Sequence, residues 1–326
     1  LSPSQVTFSL LVLLIPVTNT ESSAFPGMKP YLPHEEISSM KIAVVGAGPA
    51  GLFLARNLKE DVVVYEREKR LGTKPCSWVV LSSVEDLLLR NEILFKITGY
   101  RIFLDNKLIH EVHSSEPFAY IIDKPRFLER LSEGVEIRWE KGEIRGNEVN
   151  GIRYDLVVDA RGYQALSHDT VQAIQYDTTY HAEENVLNSY FYSDFVGYGW
   201  VFPGPHGARI GIGGEAPFTV LRERLNSLLA GEKVSYGVAR ISMGGLKLGN
   251  AVGEAGGAVF PITGEGIRPS LMHAELVARR IAGEEVDLRN SSLFRIMNAH
   301  LKVVEEARKR EKPGEYVSKV FMGTLR

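Results

Sequence analysis

The 326-residue chain holds a single cysteine, which excludes an intramolecular disulfide framework and any metal site built on clustered thiolates. It lacks a positive excess: 38 Lys and Arg stand against 40 Asp and Glu, a formal charge of -2, so charge gives no argument for nucleic acid. No apolar run reaches the ~20 residues that span a bilayer. Neither an H-E-x-x-H motif nor a carboxylate cluster is present, so no metal site is expected. Hydrophobic residues at 44% and charged residues at 24% are ordinary globular values, and the length points to about two domains. Glycine is what the chain has in abundance. Its 31 residues make up about 9.5% of the chain against roughly 7% on average, which marks places where backbone approaches a ligand or turns with positive φ.

Residues 1–39 differ in character from the rest of the chain. Val6 to Val17 is an apolar run broken by Thr7, Ser9 and Pro16, too short to cross a membrane. Ser22-Ser23-Ala24 has the small residues of a cleavage site, yet no Lys or Arg precedes Lys29, so the basic start of a secretion signal is missing. The favoured reading is a leader outside the fold. A signal or anchor and a packed element are the alternatives.

From Met40 the pattern is sharp. Met40 to Val45 is a short apolar strand, followed at once by Gly46-Ala47-Gly48-Pro49-Ala50-Gly51 and a helical stretch through Leu58. Asp61 to Tyr65 reads as a second buried strand that ends on Glu66. Strand, G-x-G-x-x-G, helix, strand and acid are the parts of a Rossmann-like dinucleotide site. Gly46 permits the tight turn, Gly48 lets backbone N–H groups reach a pyrophosphate, and Gly51 lets the helix sit close on the sheet. The helix N-terminus adds partial positive charge. Glu66 can accept from both ribose hydroxyls, and an acid there disfavours a 2′-phosphate, so FAD or NAD is expected rather than NADP.

Two later segments favour FAD. Tyr154 to Gly162 is a buried strand ending in Asp159-Ala160-Arg161-Gly162. Leu248 to Ile267 reads as an apolar strand, a glycine-dense loop and then Pro261-Ile262-Thr263-Gly264-Glu265-Gly266-Ile267, with a helix to about Ile281. Gly264 and Gly266 stand where a ring system would meet a helix N-terminus, whose N–H groups can bond flavin N1 and O2. Between these segments, Tyr100 to Leu104 and Lys107 to Val112 flank the hairpin signal Asp105-Asn106. Val171 to Tyr176, Val186 to Tyr192, Tyr198 to Phe202 and Ala208 to Gly213 continue the strand pattern. The fold class expected is α/β, with a Rossmann-like domain and an interleaved antiparallel-sheet substrate domain. Ala216 to Ala230 reads as a helix. After Asp287, Leu293, Ile296, Met297, Leu301 and Val304 recur at helical spacing. That stripe reads first as a helix packed on the body, and second as a membrane-surface helix.

These motifs resemble the p-hydroxybenzoate hydroxylase-like flavoproteins and, within them, the geranylgeranyl reductase family, over most of residues 40–285. The resemblance rests on the G-x-G-x-x-G start, the P-x-x-G-E-G-I loop and Gly197-Tyr198-Gly199-Trp200-Val201-Phe202-Pro203, which matches the family's Y-x-W-x-F-P motif. Lys74-Pro75-Cys76-Ser77 is similar to its P-C-[SG] segment, and Ile121 to Leu131 to its V-D-R-x-x-F-D-x-x-L stretch. Three departures stand out. Gly249-Asn250 takes the place of the Gly-Asp that binds the ribityl chain, Lys124 replaces Arg, and the chain is a shortened member.

The resemblance implies a discontinuous FAD-binding domain (40–72, 123–167 and 243–285), a substrate domain (73–122 and 168–242) and a C-terminal helical segment (286–326). Cofactor contacts are expected from Gly46, Gly48, Pro49, Ala50, Gly51, Glu66, Arg67, Lys124, Gly162, Asn250, Gly264, Gly266 and Ile267. Cys76, Tyr198 and Trp200 are the expected catalytic-side residues. Tyr198 and Trp200 alternate with Gly199 and so share a sheet face, either as core aromatics or as an apolar wall; Cys76 is either a small buried hydrophobe or a neighbour of the flavin. Ser167-His168-Asp169 has triad letters, but adjacent residues cannot form a relay. His110 and His113, three apart in a strand, face opposite sides. The implied activity is reduction of isoprenoid C=C bonds with hydride from flavin N5, the flavin drawing its electrons from ferredoxin or NAD(P)H. A monooxygenase of the same fold and an accessory FAD-binding protein are the alternatives. A cytoplasmic place is expected, with peripheral membrane contact left open.

Overall fold

A computed structural model describes residues 39–166, 170–247 and 249–323. Residues 1–38, including Val6 to Val17, and Ser167-His168-Asp169 lie outside them.

The parallel sheet is built from β1 (Lys41–Val45), β2 (Asp61–Tyr65), β8 (Glu136–Arg138) and β12 (Leu156–Asp159), in the order β12-β1-β2-β8. Its β-branched strands are buried on both faces, as a parallel sheet covered on each side requires. Helix α1 (Pro49–Asn57) packs its Leu52, Phe53 and Leu54 into this core together with α4 (Ile267–Ile281). Helix α2 (Lys124–Ser132) starts at Asp123, whose side chain accepts from Arg126 N–H. A small sheet of β9 (Ile144–Arg145), β10 (Glu148–Val149) and β11 (Ile152–Arg153) packs Val149 and Ile144 on the face of the parallel sheet that carries Val45, Tyr65 and Val157.

The second layer is a seven-stranded sheet. Its strands are β5 (Gly99–Leu104), β6 (Lys107–His113), β13 (Thr170–Thr178), β14 (Val186–Phe191), β15 (Gly197–Gly204), β16 (Gly207–Gly214) and β17 (Lys233–Ser242), ordered β17-β13-β16-β15-β14-β5-β6. The expected antiparallel character holds for every pair except β14 and β5, which run parallel. The reason is topological: β5 and β14 are joined through the other sheets rather than by a hairpin. The hairpin between β5 and β6 turns on Asp105 and Asn106, both at positive φ, as the Asp-Asn signal requires. Three short strands, β3 (Val79–Leu81), β4 (Ile93–Ile97) and β7 (Ala119–Ile122), form a third sheet in the order β3-β7-β4.

One face of the seven-stranded sheet is covered by α3 (Phe218–Leu228), through Leu221 and Leu225 against Ile174, Ile210 and Ile212. Near the far edge lie α5 (Ser292–Arg308) and α6 (Pro313–Gly323). The apolar stripe of α5 is spent on the core: Leu293, Met297, Val303, Val304 and Ala307 are all buried. Of the stripe read from the sequence, Leu293, Met297 and Val304 pack on the body, while Ile296 and Leu301 are half-buried. No described helix is long and apolar enough to cross one.

Candidate active site

The turn from β1 into α1 fixes the first wall. Gly46 has a φ of 117°, and a Cβ there would lie 2.4 Å from the Ala160 carbonyl oxygen. Gly51 is tighter still, with a Cβ only 2.0 Å from the Gly46 oxygen; it is buried under the turn and serves the packing of α1, not the cavity surface. Around Gly48 a Cβ would meet nothing, so the backbone faces open space. No side chain caps α1, and its first-turn N–H groups stand at this opening. Glu66 ties the turn down: its carboxylate accepts from Ala47 N–H at 2.9 Å and from Glu68 N–H at 2.8 Å. Arg67, half-exposed, pairs with Glu68 at 3.0 Å at the same rim.

These groups open into a cavity of about 930 Å³ that runs between the parallel sheet and the seven-stranded one. The volume is at the upper end for a ligand site. Cys76, Lys124, Gly162, Tyr198, Trp200 and Gly264 all border it, as do Pro49, Ala50, Gly266 and Ile267. The fold thus brings to one space residues from six separate segments that the sequence reading singles out.

Asn250 is an exception, as Gly51 is. It is exposed and outside the cavity, with its carbonyl bonded to Asp159 N–H at 2.7 Å. The apolar run from Leu248 does not form a strand among the described residues. Only Ala251 bridges to Asp159, and Gly253–Gly256 then folds as a 3-10 turn. That turn carries Glu254 into the cavity instead. A Gly-acid pair thus stands before the loop, as Gly253-Glu254, four residues after Gly249-Asn250. Glu254 accepts from Lys74 Nζ at 2.5 Å and from Ser242 N–H at 3.1 Å. A Cβ on Gly162, which has positive φ, would sit 3.1 Å from its carboxylate.

Lys124 is buried at the start of α2 and donates to the Lys74 carbonyl at 3.1 Å. Burial pulls its ammonium below the usual lysine range, against an opposing pull from Cys76. The segment Lys74–Trp78 is thereby held from below. Arg209, almost wholly buried, holds it from the sheet: its guanidinium lies 3.5 Å over the Trp78 ring, donates to the Ser77 carbonyl at 3.3 Å, and pairs with Asp177 at 3.0 Å. Trp78 has a φ of 64°, unusual for a bulky residue. Arg209 and Trp78 were not singled out in the sequence; an arginine inside the apolar run Ala208 to Gly213 was the available signal.

The Pro261–Ile267 loop is fastened from three sides. Tyr198 donates to the Thr263 carbonyl at 2.5 Å, and His300 Nδ1 accepts from Ile262 N–H at 3.3 Å. Glu265 and Arg268 form a buried two-bond pair, both at 2.7 Å. Burial, then the Glu265 carboxylate, pushes the Tyr198 hydroxyl above its usual range, so it stays a neutral donor. Burial and then Arg268 bring the His300 pKa down to about 3. Gly264 N–H is already bonded to the Phe260 carbonyl at 2.8 Å, which leaves Gly266 and Ile267, at the start of α4, to face a ring.

Tyr198 and Trp200 do share a face, with ring centroids 6.1 Å apart. Trp200 lies over Gly211 of the neighbouring strand, where a Cβ would come within 2.3 Å of the indole. Gly211 is thus required by the tryptophan.

No family model matches the chain. The digeranylgeranylglycerophospholipid reductase 3 of Methanosphaera stadtmanae is 25% identical over 320 residues, covering 78% of this chain and 80% of that protein. Among solved structures, a geranylgeranyl bacteriochlorophyll reductase-like protein from Thermoplasma acidophilum superposes with a TM-score of 0.65 at 19% identity, covering 88% of each chain. The fold is that of the p-hydroxybenzoate hydroxylase-like FAD flavoproteins. The resemblance to the geranylgeranyl reductases is borne out, with FAD as the cofactor and an FAD-dependent oxidoreductase as the class of enzyme. A flavin-dependent brominase with a TM-score of 0.57 at 13% identity shows that this fold also carries other reactions.

The residues present fit FAD. The open backbone at Gly48, the acid at Glu66 and the helix start at Gly266 stand along one continuous cavity.

Proposed function

We propose that the protein reduces C=C bonds of geranylgeranyl or related isoprenoid chains. The supporting observation is that the glycine-lined cradle opens, without a partition, into an apolar chamber bordered by Tyr198, Trp200, Phe202 and Leu187. Such a chamber suits a hydrocarbon chain.

FAD, once reduced, supplies a hydride from N5. The chain's own residues bind and orient. First-turn N–H groups of α1 would hold the pyrophosphate and Glu66 the adenosine ribose. Lys74 and Glu254, already paired, would hold the ribityl stretch, and Gly266 and Ile267 the ring. Tyr198 keeps its proton on the Thr263 carbonyl and so fixes the loop against the chamber wall. Cys76 borders the same space, on a segment held by Lys124 and Arg209.

The test is expression in a host that makes unsaturated isoprenoid lipids, with mass spectrometry of the chains. Addition of two hydrogens per double bond is expected. Oxygen-dependent NAD(P)H oxidation with an oxygenated product would instead make the protein a monooxygenase. Bound FAD with neither activity would make it an accessory flavoprotein.

A further inference from the structure

Strand β17 stands at one end of the seven-stranded sheet, and no described strand pairs with its free edge. Its two faces differ. Gly237, Ala239 and Ile241 turn inward and border the cavity, as do Gln175 and Ala173, the cross-strand neighbours of the first two. Val234, Tyr236 and Val238 turn outward, and each is 45–54% exposed. Their neighbours across the ladder, Ile174 and Tyr176, lie on the face that α3 covers, but that cover does not extend to the three β17 side chains. Val238 is both exposed and part of the cavity lining, so the cavity reaches the surface at this strand.

Single exposed apolar side chains are ordinary, whereas three in a row on one strand face make a patch. The charges around it are of one sign. From Lys233 to Ser242 the strand carries Lys233 and Arg240, both exposed, and no acid; Glu232 is the nearest one in sequence. Asp177, next to Ser235 across the ladder, lies on the inner face and is paired with Arg209. Lys233 holds its ammonium 4.7 Å over the Tyr176 ring, and Tyr176 meets Tyr236 at 4.8 Å between ring centroids. Valines between two cations, with tyrosine rings beside them, have the composition of a surface seated in a lipid interface. Apolar side chains enter the acyl boundary, tyrosines lie at the headgroups, and cations meet lipid phosphates.

We propose that the outer face of β17 docks the protein on an anionic lipid bilayer. Lys233 and Arg240 meet the headgroups, and Val234, Tyr236 and Val238 enter the interface between them. A lipid chain then passes into the cavity over this edge. That last step rests on the isoprenoid reading of the site, whereas the docking does not.

The test is flotation of the full chain, with FAD bound, on vesicles of phosphatidylcholine alone or with about one-third phosphatidylglycerol. Wild type should float with the anionic vesicles and be released at high salt. Val234→Asp with Tyr236→Asp should weaken that binding at least tenfold. Lys233→Gln and Arg240→Gln should each weaken it about fivefold, since a cation near such a surface contributes about 1 kcal/mol. All four side chains are exposed, so FAD content, melting temperature and saturation of geraniol added in solution should stay at wild-type values. Val234→Ser with Tyr236→Ser stands in if the aspartates prevent folding. Wild type that does not float, or apolar-face variants that float as wild type does, would overturn the docking. A dimer that stays off the vesicles and that Tyr236→Asp splits would give the face to a second copy of the chain instead. Flotation as expected, with FAD bound but no saturation of any isoprenoid by any variant or by wild type, would overturn the reductase reading and leave the docking standing.

Discussion

Glu66 shows how one side chain can serve both fold and ligand. Two of its lone-pair positions are taken by Ala47 and Glu68 N–H, and a carboxylate has about four, so two remain for the ribose hydroxyls. Glu66→Ala should weaken FAD binding at least tenfold, because hydrogen bonds to a charged acceptor are worth about 1.5–3 kcal/mol each. Glu66→Gln should lose less, since its amide oxygen still accepts. A flavin titration that found all three proteins equal would remove Glu66 from the cofactor site. Trp200 poses the complementary question. A tryptophan serving only the core costs about 3–5 kcal/mol when truncated to alanine. Trp200 borders open space on one side, so Trp200→Ala should melt only modestly earlier, keep its FAD and lose lipid reduction. A severe drop in melting temperature with unchanged specific activity would make it a core residue.

Among the elements, legibility in the sequence tracked the range of the forces involved. The β1–α1–β2 unit could be read residue by residue, because its strands, turn and helix are contiguous from Lys41 to Tyr65, even though Gly46 also makes room for the distant Ala160. Gly51→Ala tests that reading: its Cβ would overlap the Gly46 oxygen at 2.0 Å, so α1 would have to lift from the sheet. Loss of soluble, flavin-loaded protein is expected, and a variant with normal flavin absorbance and melting temperature would contradict it. The pairing of β14 with β5 was not legible, since no local pattern specifies a partner some eighty residues away. Strand β17 was missed for a different reason: Val234, Tyr236 and Val238 alternate on an exposed face, which resembles no buried run. Glu254 was not singled out because apolar letters from Leu248 onward suggested a strand. Positive φ at Gly253 and Gly257 makes a turn instead, and only that turn decides that Glu254 enters while Asn250 stays out.

For the molecule as a whole, two buried histidines link the cofactor half to the helices that close it, and they make stability depend on pH. His300 on α5 holds the flavin loop through Ile262 N–H, and stacks on Phe260 at 5.0 Å. His273 on α4 presses on the glycine turn, where a Cβ on Gly256 would lie 2.5 Å from its ring. Burial first brings His273 down to about 4, and burial with Arg268 brings His300 down to about 3. Both folded values lie below the ordinary histidine value of about 6.5. Between pH 6.5 and about 4 the unfolded chain therefore takes up protons that the folded one refuses. Stability is full above pH 6.5 and falls as pH drops. At pH 5 each histidine should cost about 2 kcal/mol, from about 1.4 kcal/mol per pH unit over one and a half units. Glu275, whose carboxyl is raised by burial, works in the opposite sense, so the comparison is best made between wild type and His300→Asn. Asn retains an acceptor for Ile262 N–H but does not titrate. Urea unfolding at pH 7.5 and pH 5 should show wild type losing about 2 kcal/mol more than the variant across that interval. Equal losses in the two proteins would mean that His300 is protonated in the folded state at pH 5, and that Arg268 and burial do not hold it neutral.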